Sequence, residues 1–394
     1  MIKQIKIRDF KSIRELDLVL DDVTVLVGRS GTGKSNVVQA IRFLRNLLLN
    51  TEQAIAYEGG WGRIVPQGEK SPQTTIEVIF SLPGEERDFN YRIAFAQHPN
   101  QRDHQMIVGE HLFLSNEPLF ARVIRSNYQW EWEKPPAIAV VPSPSNNGPM
   151  LGSFPSLQRV VFAYAALSTG IGFYHFPSTT LDASRNNTAP NDIWKTIPGL
   201  WDNAGNYRDV MRSIIQDFQK PNVRKNLLAT LKAVNPSIAS VELDSLTNPQ
   251  RAIVGHDIGG SILELSLEQE SDGLRRFYAH LLALYQSPSK LTLVFEEPEN
   301  AIFPGALALL ADEFKAAPRE NRGQVILTTH SPGLLDAFDV ENVRVVDMQN
   351  GKTIVGKVSQ EQRNAIKDHL LTTGELLTAV DPELDQPQNA EQKA

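Results

Sequence analysis

The run Gly28-Arg29-Ser30-Gly31-Thr32-Gly33-Lys34-Ser35 constrains this chain more than any other feature. It follows a continuous apolar stretch, residues 23–27. It precedes residues 34–49, where Val37, Val38, Ile41, Leu44 and Leu48 recur at helical spacing. Strand, glycine-rich turn and helix in that order make a phosphate loop. Glycines let successive backbone N–H groups converge on phosphate oxygens, and the helix adds its positive N-terminal end. Lys34 is spaced to reach the β and γ phosphates of a nucleoside triphosphate, and Ser35 to bind Mg²⁺. Residues Gly28, Arg29, Ser30, Gly31, Thr32, Gly33, Lys34, Ser35 and Asn36 are therefore the expected nucleotide-binding set.

Two more apolar strands end in polar residues. Residues 291–295 lead into Glu296, Glu297 and Pro298. A carboxylate pair there would let Glu296 orient Mg²⁺ and Glu297 polarise the attacking water as general base. Residues 325–327 lead into Thr328, Thr329, His330 and Ser331. Open α/β sheets place ligands at this end of their strands, so His330 is expected to sense the γ phosphate. Ser271, Asp272 and Gly273 open a further helix. The plainer reading is an N-cap, which is compatible with phosphate binding at the same terminus.

Around these motifs the 394 residues fall into three zones and a tail. Residues 1–150 hold the phosphate loop, the strands 2–8 and 16–20, and a β-rich stretch over 74–142 that alternates as an antiparallel layer does. Residues 143–155, with Pro144, Pro149 and Pro155, read as a loop. Residues 151–237 read as a helical insertion. Residues 238–378 return to strands and then alternate helix and strand, which implies a parallel core sheet. Residues 379–394 are polar and expected to be disordered.

Composition narrows the chemistry. There are no cysteines, which excludes disulfides, Cys-ligated zinc and thiol catalysis. The net charge of −7 argues against a strongly basic field for nucleic acid, though not against a local patch. No apolar run reaches the roughly 18 residues of a spanning helix, and the N-terminus has no signal-peptide pattern. A cytoplasmic location without a membrane partner is expected.

The order of motifs resembles the ABC-type ATPase heads of the SMC, RecF and OLD group, more closely their compact AAA-family relatives from prokaryotic defence systems. The likeness runs over about residues 1–375 and includes the opening stretch, residues 7–41, and Tyr207–Met211. It implies an α/β P-loop NTPase fold: an ABC-ATPase head with an antiparallel β layer and a helical insertion. It implies ATP and Mg²⁺ as ligands and two heads closing on two ATP molecules, as a homodimer or a higher even oligomer. Ser271, Asp272 and Gly273 would then serve the partner's nucleotide, Glu297 would be the base, His330 the switch histidine, and Asn300 would face the partner.

The chain departs from that pattern in places. Ser30 stands where the family usually has Asn, Glu296 replaces the commoner Asp, and Phe303 stands at a frequent His. Gln67 and Gln73 are the candidates for the glutamine that such heads place near the metal, and Arg185 matches a familiar family arginine. No coiled-coil heptads and no Cys-x-x-Cys hook argue against a long-armed tether. The 64 residues after His330 are too few for a Toprim nuclease, which suggests a separately encoded effector, Toprim-like or another toxin. A RecF-like DNA-binding clamp is the alternative. A transporter subunit fits less well, because Glu270-Ser271-Asp272-Gly273-Leu274 stands where transporters carry LSGGQ.

Overall fold

The computed structural model describes residues 1–66, 73–98, 101–124, 130–137, 148–177, 180–181, 197–217, 221–243 and 252–385. Arg185 and Gln67 lie outside them.

The centre is a six-stranded sheet. Across it run Lys352–Lys357, Val343–Gln349, Val23–Val27, Gln324–Thr328, Thr292–Glu296 and Ile171–Tyr174. The last five are mutually parallel, and only the Lys352–Lys357 edge is antiparallel. Both faces of this sheet are covered, so its strands read as unbroken apolar runs. The side-chain alternation of period 2 then sorts each strand between two cores. Val25 and Val27, Leu293 and Phe295, and Val325 and Leu327 enter one core with the helices Asp272–Tyr285 and Pro304–Arg319. Leu26, Val294 and Ile326 enter the other.

That second core lies under a seven-stranded antiparallel sheet. Its order is Ile13–Val19, Ile2–Phe10, Gln73–Phe80, Phe89–His98, Gln101–Leu114, Glu117–Ile124 and Trp130–Lys134. The helix Lys34–Leu49 fills the space beneath it with Val37, Val38, Ile41, Leu44 and Leu48, the residues picked out by their spacing. A small antiparallel sheet, Ile238–Leu243, Ala252–Ile258 and Ser261–Ser266, leads into the helix capped by Ser271. The fold is the mixed α/β P-loop head that was expected.

Two details differ from the expectation. The stretch 151–237 does hold the helices Gln158–Leu167, Tyr207–Gln216 and Pro221–Val234, but it also supplies Ile171–Tyr174 to the central sheet. Four residues are too few to show a strand period, and here they run on directly from a helical apolar pattern. The beginning of the polar tail is also placed. Leu384 bridges Val358, Ser359 N donates to Glu383 O at 2.7 Å, and Asp385 N donates to Lys357 O at 2.9 Å. Leu384 packs onto the core beside the buried Val358, so one apolar residue and a short backbone ladder hold a segment that composition marks as polar.

Candidate functional site

The parallel strands bring the chemistry to one edge. Thr328 is in register with both Leu26 and Glu296, and Phe295 with Tyr174. The residues leaving the carboxyl ends of four neighbouring strands, Gly28, His330, Glu297 and His175, therefore emerge side by side. A cavity there is lined by Ser30, Gly31, Gly33, Lys34, Ser35, Asn36, His175, Glu296, Glu297, Thr328 and His330.

The phosphate loop is held from beneath. Gly33 has φ +102°, a left-handed backbone that β-carbon-bearing residues avoid, and a Cβ there would sit 2.0 Å from Thr353 Oγ1. Thr353 Oγ1 donates to Thr32 O at 3.0 Å and lies 2.6 Å from Ser12 Oγ. Asn36 Nδ2 donates to that same Ser12 oxygen at 2.6 Å, so its amide braces the loop. Lys34 Nζ donates to Gly28 O at 2.6 Å and Arg29 O at 2.9 Å. Burial lowers the Lys34 pKa, while the charge of Glu297 works the other way. Arg29 turns to the surface, where it pairs with Asp381 of the placed tail segment.

The two carboxylates differ in setting. Glu296 ends its strand and is paired with Arg42, two turns along the helix from Lys34. Glu297 begins the next loop with φ +48°, a conformation that costs an L-residue about 1–2 kcal/mol. Its backbone N–H donates to Thr328 O at 3.0 Å, which fixes the turn. Its carboxylate receives Asn300 Nδ2 at 2.9 Å on Oε2, and His330 Nε2 lies 3.7 Å from Oε1. His330 is itself anchored through its backbone N–H to Glu299 Oε1 at 2.8 Å. Strain in a residue that neighbours over-determine is a mark of functional sites.

Ser271, Asp272 and Gly273 do not line this cavity. Ser271 Oγ accepts from Leu274 N at 3.3 Å as an N-cap, and Asp272 pairs with Arg275 and Arg276. Gly273 packs on the loop after Glu297, where an added Cβ would lie 2.7 Å from Ala301 O. Arg276 donates to Asn300 O at 3.1 Å, tying the two segments together. Phe303 beside them is 73% exposed. Gln73 starts an antiparallel strand, exposed and apart from the cavity.

His175 is the site residue that sequence reading missed. It follows the strand Ile171–Tyr174, next to the strand that ends in Glu296, and lines the cavity. The signal was present: an apolar strand ending in a polar residue, the same pattern as before Glu296 and His330.

The donor set suits Mg²⁺. Ser35 and Glu296 offer hard oxygens, and among the described residues no group of three or more His, Cys, Asp or Glu side chains is arranged to hold a metal ion by itself. Mg²⁺ keeps several waters and takes one or two carboxylates plus substrate phosphates.

A family model described as "AAA domain, putative AbiEii toxin, Type IV TA system" matches residues 23–336. The chain belongs to this AAA_21 family. Its fold is shared with solved SMC heads. The crystal structure of the SmcHead bound to the C-winged helix domain of ScpA has 14% identity and a TM-score of 0.53, covering 92% of this chain and 99% of that one. The Smc head domain with an extended coiled coil bound to the C-terminal domain of ScpA, from Pyrococcus furiosus, has 12% identity and a TM-score of 0.55, covering 94% and 99%. No curated protein matches this chain. This AAA_21 domain is thus an ABC/SMC-head type ATPase fold that carries its phosphate loop and acidic strand end in one cavity. No helix among the described residues is long and apolar enough to cross a membrane.

Proposed function

We propose that this chain binds and hydrolyses ATP in a dimer that shares its two nucleotide sites, and that it regulates a separately encoded effector in a prokaryotic anti-phage defence system. The observation that carries the reading is the split of the chemistry. The cavity holds Lys34, Ser35, Glu296, Glu297 and His330, while the serine-capped helix of the same chain lies outside it. A triphosphate in the cavity would have its γ phosphate open on one side. Donors from a second copy would neutralise it, and shared charge-assisted bonds are a physical reason to dimerise.

In this reading Lys34 exchanges its two loop carbonyls for phosphate oxygens. Glu297 Oε1 takes the proton of the attacking water, while Asn300 holds Oε2 and keeps the carboxylate aimed. His330 donates toward the γ phosphate. Ser35 and Glu296 would hold Mg²⁺, which supplies charge neutralisation at the β and γ phosphates. Arg29 and Asn36 contribute to the loop, Arg29 from its rim. The family description names a toxin–antitoxin context, which supports a defence role. Cytoplasmic location follows from that role.

Light scattering of the wild type tests the core of the reading. A non-hydrolysable ATP analogue with Mg²⁺ should double the mass, and Lys34→Ala should abolish the change. A mass unaffected by nucleotide contradicts the shared site. Hydrolysis stimulated by linear DNA and falling steeply with salt would point instead to a DNA clamp.

A further inference from the structure

Glu296 is not free to swing. Its Oε1 accepts from Arg42 Nη2, and the two side chains are 17% and 9% exposed. Arg42 lies on the helix that begins at Lys34, so helix and acidic strand are joined across the sheet. Arg42 is itself fixed. Its guanidinium lies over the Phe173 ring at 5.0 Å, and Arg45 lies over the same ring at 4.6 Å. Arg45 in turn grips Asp202 with both terminal nitrogens, at 3.2 and 3.3 Å. Asp202 O accepts from His175 N at 3.2 Å, which closes the chain of contacts back at the cavity. Two buried cations against one aromatic ring are costly unless each charge is paired. Here Arg42 is paired with Glu296 and Arg45 with Asp202.

We propose that Arg42 is a positioning residue for Glu296: it occupies Oε1 and so keeps Oε2 presented to the water shell of Mg²⁺. The inference rests on the ATP and Mg²⁺ reading above. A Glu side chain has one more rotatable bond than Asp, so without a partner its carboxylate samples several rotamers around a half-buried site. Arg42 removes that freedom, as outer-shell partners of metal ligands do. Arg42 touches neither nucleotide nor metal in this scheme; it acts through Glu296.

The test is binding of a fluorescent ATP analogue titrated with MgCl₂, with EDTA as the metal-free reference. Arg42→Gln is expected to raise the Mg²⁺ concentration at half-saturation about 10-fold, with affinity in EDTA unchanged. In the Glu296→Gln background the same substitution should add nothing further. Arg42→Lys keeps the buried charge but is one bond shorter, and it secures the test if Arg42→Gln fails to fold; a smaller rise is expected. A wild-type Mg²⁺ midpoint in the folded variant, or an equal rise with and without the Glu296 carboxylate, overturns the inference alone. A wild type that binds no ATP at any Mg²⁺ concentration removes the function reading itself, and this inference with it.

Discussion

His330 Nε2 lies 3.7 Å from Glu297 Oε1, across the ends of two neighbouring parallel strands. The strands set this spacing, and each partner is fixed by its own backbone: Glu297 through Thr328 O, His330 through Glu299. In the proposed mechanism Glu297 is the base for the attacking water and His330 the donor beside it. Glu297→Gln keeps the Asn300 contact and loses the basic oxygen. Steady-state phosphate release should fall about 100-fold or more, the usual worth of a positioned general base. ATP binding should persist and the ATP-bound dimer should accumulate on gel filtration. Normal turnover in that variant removes Glu297 from the role.

The serine-capped helix gives a complementation experiment. Ser271→Arg places a bulky charge at the helix N-terminus, and Lys34→Ala empties the phosphate loop. Each variant alone should be inactive. Mixed in equal amounts, they should recover hydrolysis from dimers that hold one intact loop facing one intact serine, about a quarter of the sites if exchange is free and sites act independently. That estimate assumes random pairing without cooperativity between sites. A mixture as inactive as its components would show that Ser271 and Lys34 do not meet across an interface.

The parts visible in the sequence share one cause. Gly28 to Ser35, Glu296, Glu297 and His330 each follow an apolar run that a doubly covered parallel strand requires, so pattern and position agree. His175 has the same arrangement, but the strand before it has only four residues and is preceded by helix. The Arg42–Glu296 pair joins positions 254 residues apart, and nothing local in either segment encodes it. The segment 381–385 looks like a solvated tail because Leu384, which packs on the core, and the backbone ladder beside it meet a strand end that composition does not reveal. The trans assignment of Ser271 came from resemblance; the residue itself reads as an ordinary cap, and within one chain it is one.

Stability of the antiparallel layer should hinge on Glu110. It is fully buried and accepts from Tyr91 Oη at 2.9 Å, Arg122 Nε at 2.8 Å and the backbone N–H groups of Met150 and Leu151 at 2.8 and 3.0 Å. Glu110→Ala takes the carboxylate away from the equally buried Arg122 and should cost about 3–5 kcal/mol. Adding Arg122→Met should return part of that loss, because the buried cation goes together with its carboxylate. Urea denaturation of the single and double variants checks both statements. A double variant less stable than Glu110→Ala would mean that Arg122 is held mainly by partners other than Glu110, Gly148 O at 2.7 Å among them.

Lys290 should make stability depend on pH. It is buried, donates to Thr169 O at 2.8 Å and Pro198 O at 2.5 Å, and has its pKa pushed down to about 7, first by burial and then by the nearby Arg45 charge. The unfolded chain keeps the ordinary value of 10.5. Between these two pH values the unfolded state binds more protons, so this group's contribution rises with pH, by up to about 1.4 kcal/mol per unit. It is fully present above the unfolded value and lost as pH falls through about 7. Lys290→Met keeps the length of the side chain and removes the titration. Urea midpoints of wild type and variant, compared from pH 7 to 9.5, should therefore diverge in slope, with the wild type gaining relative to the variant as pH rises. Parallel midpoints would place the Lys290 pKa close to its unfolded value, with the two carbonyl bonds outweighing burial.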